Sequence, residues 1–462
     1  MSQAFQIERR RAIGLALGLA ALLVTATPSL ANPDYGSAAR MSEVRLAESQ
    51  TAVSSRTAVI TSTPTGVIDL WGGGSESIAL KSNGTVWAWG WDDYGMLGNG
   101  HGVDMFTSTM TYDSHVPFQV LGAGSIGHLN SIRAIAGGER HNAALDTNDE
   151  VWAWGWNFFG QLGNGLACAG DFYSTSPDCM STSPVKIPGL TSVKTIASRG
   201  YHTLALKTNG TVWAWGYNAH GRLGDGTNTD RHSPVQVVGL TGHGGVTAIS
   251  SGGDVNVALM ADHTLMAWGR NYKGEVGNGT VDSSDIGQWT PVEVITTTGL
   301  TSVTQVATGW SHVVALASDG TVWTWGKGDL GELGIGITPT TGISVPVQVS
   351  GLNNVIGVSA GDGSTVVVKA DGTVWAWGLI RHGDGTNYSY GPTPVQVPGI
   401  DHVTLVRARD WHVLALKNDG TVWAWGSNQR GECGDGTVGG DKTTPVQVLF
   451  PSQTVYLPFI VR

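Results

Sequence analysis

The chain has 462 residues, among them 67 glycines and 19 tryptophans, with 13% charged residues and a formal net charge of −10. So much glycine and so few charged helix formers argue for short strands joined by tight turns, an all-β class. The acidic balance excludes a nucleic-acid backbone as the natural partner, because phosphate binding needs clustered Lys and Arg.

In chain order, Arg9, Arg10 and Arg11 precede an apolar run from Ala12 to Val24, and Ser29-Leu30-Ala31 forms a small-x-small step before Asn32. This pattern predicts a cleavable export signal over residues 1–31. The apolar run is too short to cross a bilayer comfortably, so no membrane span is expected after cleavage and the mature protein is exported. Residues 32–65 are rich in Ala, Ser and Thr without periodicity and read as a disordered leader. A repeat region follows over residues 66–450, and residues 451–462 form a tail or a closing strand.

The repeat region is marked by one tripeptide, each time followed by Gly. It recurs at Trp87-Ala88-Trp89, Trp152-Ala153-Trp154, Trp213-Ala214-Trp215, Met266-Ala267-Trp268, Trp323-Thr324-Trp325, Trp375-Ala376-Trp377 and Trp423-Ala424-Trp425. The spacing falls in the range of propellers and other arrays. Each copy holds four strand-like pieces, shown in the third by Val193–Ser198, His202–Lys207, Thr211–Gly216 and Pro234–Val237. Four short strands make a propeller blade. Between the second and third pieces stand Asn83-Gly84, Asn209-Gly210, Asp319-Gly320, Asp371-Gly372 and Asp419-Gly420, which predict type I′ hairpins with positive φ at both corners. In a strand, residues two apart share a face, so each blade has a bulky face carrying the indoles and a smooth one carrying Val and Ala. Radial stacking of bulky on smooth assigns the indoles to the interfaces between blades.

Further motifs recur in fixed order. They are Gly-x-x-His-x-x-Ala-Leu, Asp-Gly-Thr-Val-Trp-Ala-Trp-Gly, Gly-x-Leu-Gly-x-Gly as in Gly160–Gly165, and Pro-Val-Gln-Val as in Pro346–Val349. Together they closely resemble the regulator of chromosome condensation repeat family over about residues 66–449. The resemblance implies a seven-bladed β-propeller of seven four-stranded repeats. Which strand joins the termini stays open between the last Pro-Val-Gln-Val and Val455–Val461. The sixth copy lacks the Leu-Gly step across Gly378–Gly385. The first two copies carry insertions at about 101–131 and 166–183.

Catalytic and metal-binding patterns are mostly missing. There is no Gly-x-Ser-x-Gly elbow, no Walker loop and no carboxylate pair brought together by the repeat register, so no enzymatic activity and no cofactor are expected. His141, His202, His312 and His412 occupy one slot of the repeat, where structural hydrogen bonding competes with a metal in a central channel. Asp92-Asp93, Asp362 and Asp384 lack the spacing of a calcium loop. Cys168 and Cys179, with ten residues between them in one long loop, fit a disulfide in an exported protein. Cys433 replaces the leucine of the Gly-x-Leu-Gly motif and reads as a buried small hydrophobe.

One feature exceeds what a scaffold needs. The loops after the Trp strands run Trp91-Asp92-Asp93-Tyr94, Trp156-Asn157-Phe158-Phe159, Tyr217-Asn218-Ala219-His220 and Arg270-Asn271-Tyr272-Lys273 in the first four copies, and become plain later, as in Ser427-Asn428-Gln429-Arg430. Equivalent propeller loops emerge on one face. Trp91, Asp92, Asp93, Tyr94, Trp156, Asn157, Phe158, Phe159, Tyr217, His220, Arg270 and Tyr272 are therefore the candidate partner-binding residues, in a non-catalytic monomer that holds a protein or glycan. The competing reading folds these aromatics down over their own blade edges. The family's best-known activity, nucleotide exchange on a small nuclear GTPase with chromatin attachment, makes exchange-factor-like activity one alternative function. Inhibition of a secreted enzyme such as a β-lactamase, by analogy with a secreted propeller-type inhibitor, is the other.

Overall fold

The computed structural model describes residues 66–451 except 103–112, 170–173, 175, 297–298, 381–382, 384 and 386–388. The expected signal, the leader, the segment Val455–Val461 and Asp384 lie outside the described residues. Twenty-eight strands form seven four-stranded antiparallel sheets, and each sheet uses four consecutive strands. The first blade runs from Val67 to Gln119 and the seventh from Val403 to Gln447. The first strands of all seven blades surround a central cavity.

Ring closure does not use a strand lent from one terminus to the other, since all seven sheets are complete in themselves. The seam between blades 7 and 1 is instead an ordinary blade interface, in which Trp87 and Trp89 pack on Leu414, Leu416, Val422 and Ala424. Arg407 in the first strand of blade 7 adds a hydrogen bond to the Leu70 carbonyl at 2.9 Å and an ion pair to Asp69 at 2.8 Å.

The other six interfaces are built alike. Trp154 of blade 2, wholly buried, lies against Ile78, Leu80, Val86 and Ala88 of blade 1. The second aromatic of every copy, from Trp89 to Trp425, is fully buried. A buried indole removes roughly 150–250 Å² from water, or about 4–6 kcal/mol as an upper bound. Burial would orphan the ring N–H, yet six of the seven donate it to the preceding blade. Trp154 Nε1 donates to the Met96 carbonyl, Trp215 to Gln161, Trp268 to Arg222, Trp325 to Glu275, Trp377 to Glu332 and Trp89 to Glu432, at 2.8–3.0 Å.

Each accepting carbonyl belongs to the residue just before the Leu of the Gly-x-Leu-Gly motif, or before the Val or Cys that replaces it. The glycine after that Leu explains the rest of the motif. Gly163 has φ +61°, and a Cβ there would lie 2.8 Å from Cδ1 of Trp215. Only glycine lets the loop lie flat on the indole. Cys433 takes the leucine's place, fully buried within the same seam cluster.

The hairpin between the second and third strands differs from the expected type I′ turn. Gly84 has φ +78°, but Asn83 is not at positive φ. The Gly84 amide donates to the Lys81 carbonyl and the Lys81 amide to the Thr85 carbonyl, which closes a three-residue loop with glycine in the left-handed position. Asn83 serves through its side chain instead, accepting from both the amide and the hydroxyl of Thr85, while that hydroxyl accepts the Trp87 ring N–H at 3.0 Å. The same Asp-Gly-Thr-Val-Trp relay recurs at Asp319 and Asp371. The outer strand of each blade carries the predicted proline, from Pro117 to Pro445, at the point where its ladder bulges.

Trp154→Ala should lower stability by about 3–5 kcal/mol as a large-to-small core change. Trp154→Phe should cost roughly 0.5–1.5 kcal/mol for the lost hydrogen bond, since the Met96 carbonyl still accepts from the Asn142 side chain. Denaturant midpoints that leave both variants at the wild-type value would contradict the interface described.

Candidate functional site

The loop joining strands 1 and 2 and the loop joining strands 3 and 4 leave each blade on the same face, since both follow strands running in one direction. On blades 1–3 this face carries a belt of touching aromatic rings, from Tyr94 to Tyr217, and Tyr272 stands apart on blade 4. Tyr94 lies 5.6 Å from Trp156, Phe158 stacks on Trp156 at 5.6 Å, and Phe159 meets Tyr217 at 4.3 Å between ring centroids. Arginines interleave with the rings. The Arg140 guanidinium lies 5.6–5.9 Å from Trp91, Tyr94 and Trp156, Arg222 sits 4.8 Å from Tyr217, and Arg270 is 5.5 Å from Tyr272.

The belt has two layers, one of loop aromatics folded down into the blades and one left partly open to solvent. Tyr94 and Trp156 are fully buried and form a floor, with Tyr201 of blade 3 beside them. Trp91, Phe158, Phe159 and Tyr217 are half-buried above it, and Tyr272 is exposed. Asp92 and Asn157 are buried, and each accepts the amide of its own loop's leucine, Leu97 and Leu162. Burial pushes Asp92 up to about 7, against the hydrogen bonds that Leu97 and Asn99 give it. Asp93, also buried, lies 3.8 Å from Arg140. His220 meets the Asp285 carbonyl at 2.8 Å, and Arg270 chelates the Asp285 carboxylate at 2.6 and 2.7 Å. Thus the loops supply both the surface and the clamps that fix it.

Sequence reasoning missed the contribution of the loops between strands 1 and 2. Arg140, Tyr201 and the 46% exposed Trp411 all stand one residue before the histidine slot, where the repeat motif carries no fixed residue. Asp254 holds the same slot in blade 4. Burial alone would raise it, but Arg222 at 2.6 Å and Arg270 at 3.3 Å bring it down to about 2.

The four histidines are not gathered around the central cavity. Each is buried between blades and reaches the second residue of the next blade's second strand. His141 meets Thr203 at 2.8 Å, His202 meets Asn256 at 2.9 Å, His312 meets Thr365 at 3.0 Å and His412 meets Ser77 at 2.8 Å. Glu76 takes the histidine position in blade 1 and accepts from Asn142 at 3.4 Å. In blade 4 the pair is apolar, Val255 with Val313. Among the described residues no group of three His, Cys, Asp or Glu side chains is gathered as metal ligands. Cys168 and Cys179 form the expected disulfide.

The regulator of chromosome condensation (RCC1) repeat signature matches residues 83–145, 148–206, 209–259, 262–316 and 319–368, more than half of the chain. The chain belongs to the RCC1 repeat family. A second signature for the same repeat also reaches residues 410–432 of blade 7. The ultraviolet-B receptor UVR8 of Arabidopsis thaliana is 29% identical over 312 residues, which cover 67% of this chain and 64% of the receptor. The mitochondrial RCC1 domain-containing protein RUG3 of the same plant is 28% identical over 314 residues, covering 65% and 63%. The chain therefore spans slightly less than two thirds of either relative. Among solved structures, Prp20p of Saccharomyces cerevisiae superposes with a TM-score of 0.66 at 22% identity, over 81% of this chain and 88% of Prp20p, which shows a shared fold.

Burial holds His141, His312 and His412 down at about 3 and His202 at about 4. Above pH 6.5 these imidazoles are neutral in the folded and unfolded chain alike. Below it the unfolded chain takes up protons first, so their contribution to stability falls as pH drops from 6.5 through the folded values. For His202 the window is 6.5 to about 4, with a slope of about 1.4 kcal/mol per pH unit. The double variant His202→Val, Asn256→Val, patterned on Val255 and Val313, should lose that slope. Urea denaturation at a series of pH values, with the acid limb unchanged from wild type, would refute the assignment.

Proposed function

We propose that this RCC1-repeat propeller is a non-catalytic scaffold that holds a protein partner against the aromatic face of blades 1–4. The observation that carries the reading is the two-layered belt, in which half-buried Phe158 and Phe159 pack on buried Trp156, Tyr217 packs on Phe159, and Arg140 ties Trp91 to Tyr94 and Trp156. Rigid aromatics lose little conformational freedom on binding, and with arginine they are the residue types enriched at binding hot spots. The fold supports it too: Prp20p is described by its binding to Gsp1p and histones. A glycan stacked on the same rings is the competing occupant.

A catalytic role finds no support in the titratable groups. Glu76 and Glu275, raised by burial to about 8, and Glu332, raised to about 7, lie beneath the loops, out of a substrate's reach. A second reading, exchange-factor-like activity on a small GTPase, rests on the fold shared with Prp20p and predicts faster release of bound guanine nucleotide. We further propose that residues 1–31 direct export and are removed.

The triple variant Trp91→Ala, Tyr217→Ala, Tyr272→Ala alters the outer layer and leaves the buried floor in place. It should keep the wild-type thermal midpoint within a few degrees yet lose the partners that wild-type protein captures from the native extracellular fraction. The same partners on both baits would refute the aromatic-face reading, and capture by the wild-type bait that survives proteolysis of the extract but is abolished by its deglycosylation would reassign the occupant to a glycan. N-terminal sequencing of secreted protein should begin at Asn32, and a chain retaining Met1 would refute export by cleavage.

A further inference from the structure

The aromatic belt hangs on one loop that differs from its equivalents. In blades 1, 3, 4, 5 and 7 the third strand ends at the glycine after the Trp tripeptide, at Gly90, Gly216, Gly269, Gly326 and Gly426. In blade 2 it runs one residue further, to Trp156, which pairs with Met180 at the start of the outer strand. Trp156 is the ring on which Tyr94, Phe158, Phe159 and Tyr201 converge. The residue just before Met180 is Cys179, which is buried and bonded to half-buried Cys168.

The residue after Trp156, Asn157, is the hub of the same loop. In blades 1 and 3 the hub's backbone amide is accepted by an aspartate one residue before the outer strand: Asp92 donates to Asp113 at 3.1 Å and Asn218 to Asp230 at 2.7 Å. In blade 2 that slot holds Cys179, which has no carboxylate, and the Asn157 amide goes to its main-chain carbonyl at 2.8 Å. The Asn157 side chain also donates to the carbonyls of Asp178 at 2.8 Å and Leu166 at 3.2 Å, so both ends of the inserted segment meet at one residue. A main-chain carbonyl lies only where the chain puts it, and so the chain itself has to be fixed.

Length makes that harder here than in blade 3. Asn218 and Asp230 are 12 residues apart, whereas Asn157 and Asp178 are 21 apart. Holding the ends of a longer segment together costs more conformational entropy. Blade 1 also spans 21 residues, but it closes on the Asp113 carboxylate, which Arg430 holds at 3.4 Å. In blade 2 the disulfide cuts out the 11-residue excursion from Cys168 to Cys179 and leaves a covalent path about as short as that of blade 3. A cross-link acts mainly by removing loose conformations of this kind. The contacts that join blade 2 to its neighbours lie outside the bridged segment: Trp154 donates to the Met96 carbonyl, and the Gln161 carbonyl accepts from Trp215.

We propose that the Cys168–Cys179 disulfide is a positioning element of the partner face: it holds the Trp156–Met180 pair and the Asn157 hub in place, and its loss loosens the aromatic belt while the ring of blades stays closed. The consequence for binding rests on the scaffold reading, and the local ordering does not. A dithiol such as dithiothreitol reduces the bridge to two thiols and itself closes to a cyclic disulfide, and Cys433, already a thiol, is unchanged by it.

The test is amide hydrogen exchange on the full chain in three forms: oxidised, reduced with dithiothreitol, and as the double variant Cys168→Ser, Cys179→Ser. The Asn157 amide should exchange at least about tenfold faster in the reduced protein and in the variant, while Asn218 and the second strand of blade 2, His141–Asp146, keep the oxidised rates. Unchanged exchange at Asn157 overturns the proposal. So does equal acceleration in all seven blades, which would make the bridge a staple of the whole fold. As bait in the native extracellular fraction, the serine variant should lose the partners that wild-type protein captures. If it keeps them while the triple variant at Trp91, Tyr217 and Tyr272 loses them, the disulfide's part in binding is refuted and the scaffold reading stands. If both variants keep them, the scaffold reading falls, and with it the binding consequence drawn here.

Discussion

The contact on which the rest of the propeller depends is an indole lying flat on a glycine. The second tryptophan of a blade is wholly buried, and in six of the seven interfaces its ring N–H donates to a carbonyl of the preceding blade. A glycine beside that carbonyl leaves the space for the ring. Neither partner is sufficient without the other: a side chain on the glycine would lift the loop, and a ring without its N–H would take a donor from the carbonyl, which in four interfaces it shares with a side chain of its own blade. The contact sets the spacing of neighbouring blades and anchors the Gly-x-Leu-Gly loop. That loop supports the side chains of Asp92 and Asn157, which clamp the residues ahead of it, and so the aromatic face is held by the same interaction that closes the ring.

Much of this was legible in the sequence because strand register is a property of neighbours in the chain. Alternation of Trp with Val and Ala assigned the indoles to the blade interfaces, and the position of Cys433 in a leucine slot assigned its burial. The turn was misjudged for a local reason. Asn-Gly and Asp-Gly suggest positive φ at two corners, but the Thr that follows gives the Asn or Asp side chain a better use, and only the glycine turns left-handed. The loop residues were separable only in part. Trp91 and Trp156 occupy the same slot, yet Trp156 is buried by Tyr94, Phe158 and Tyr201, which come from three different blades. Such packing is set by the ring and not by the repeat.

Other departures carried a signal that position-by-position comparison recovers. The histidine slot and the second residue of the next blade match in six of the seven pairs, with polar meeting polar at His202 and Asn256 and apolar meeting apolar at Val255 and Val313; the exception is Ser364 of blade 6 opposite Val413. Arg199 and Arg409 stand where five other blades have glycine. Within a repeat, a residue that breaks the pattern without harming the fold is where the individual character of the protein resides. Here the breaks fall on the aromatic face and at the mouth of the central cavity.

The seven sheets, each complete in itself, also bear on how such a ring arises. A propeller sealed by exchanging a strand between its ends requires both termini to evolve in concert. In this chain the seam between Trp89 and Glu432 is made like the internal joints. A stretch of gene encoding four consecutive strands is then a self-sufficient wedge. Duplication or loss of that stretch would change the number of wedges without new chemistry at either cut, and a wedge once added could diverge in its loops while its flanks remained interchangeable.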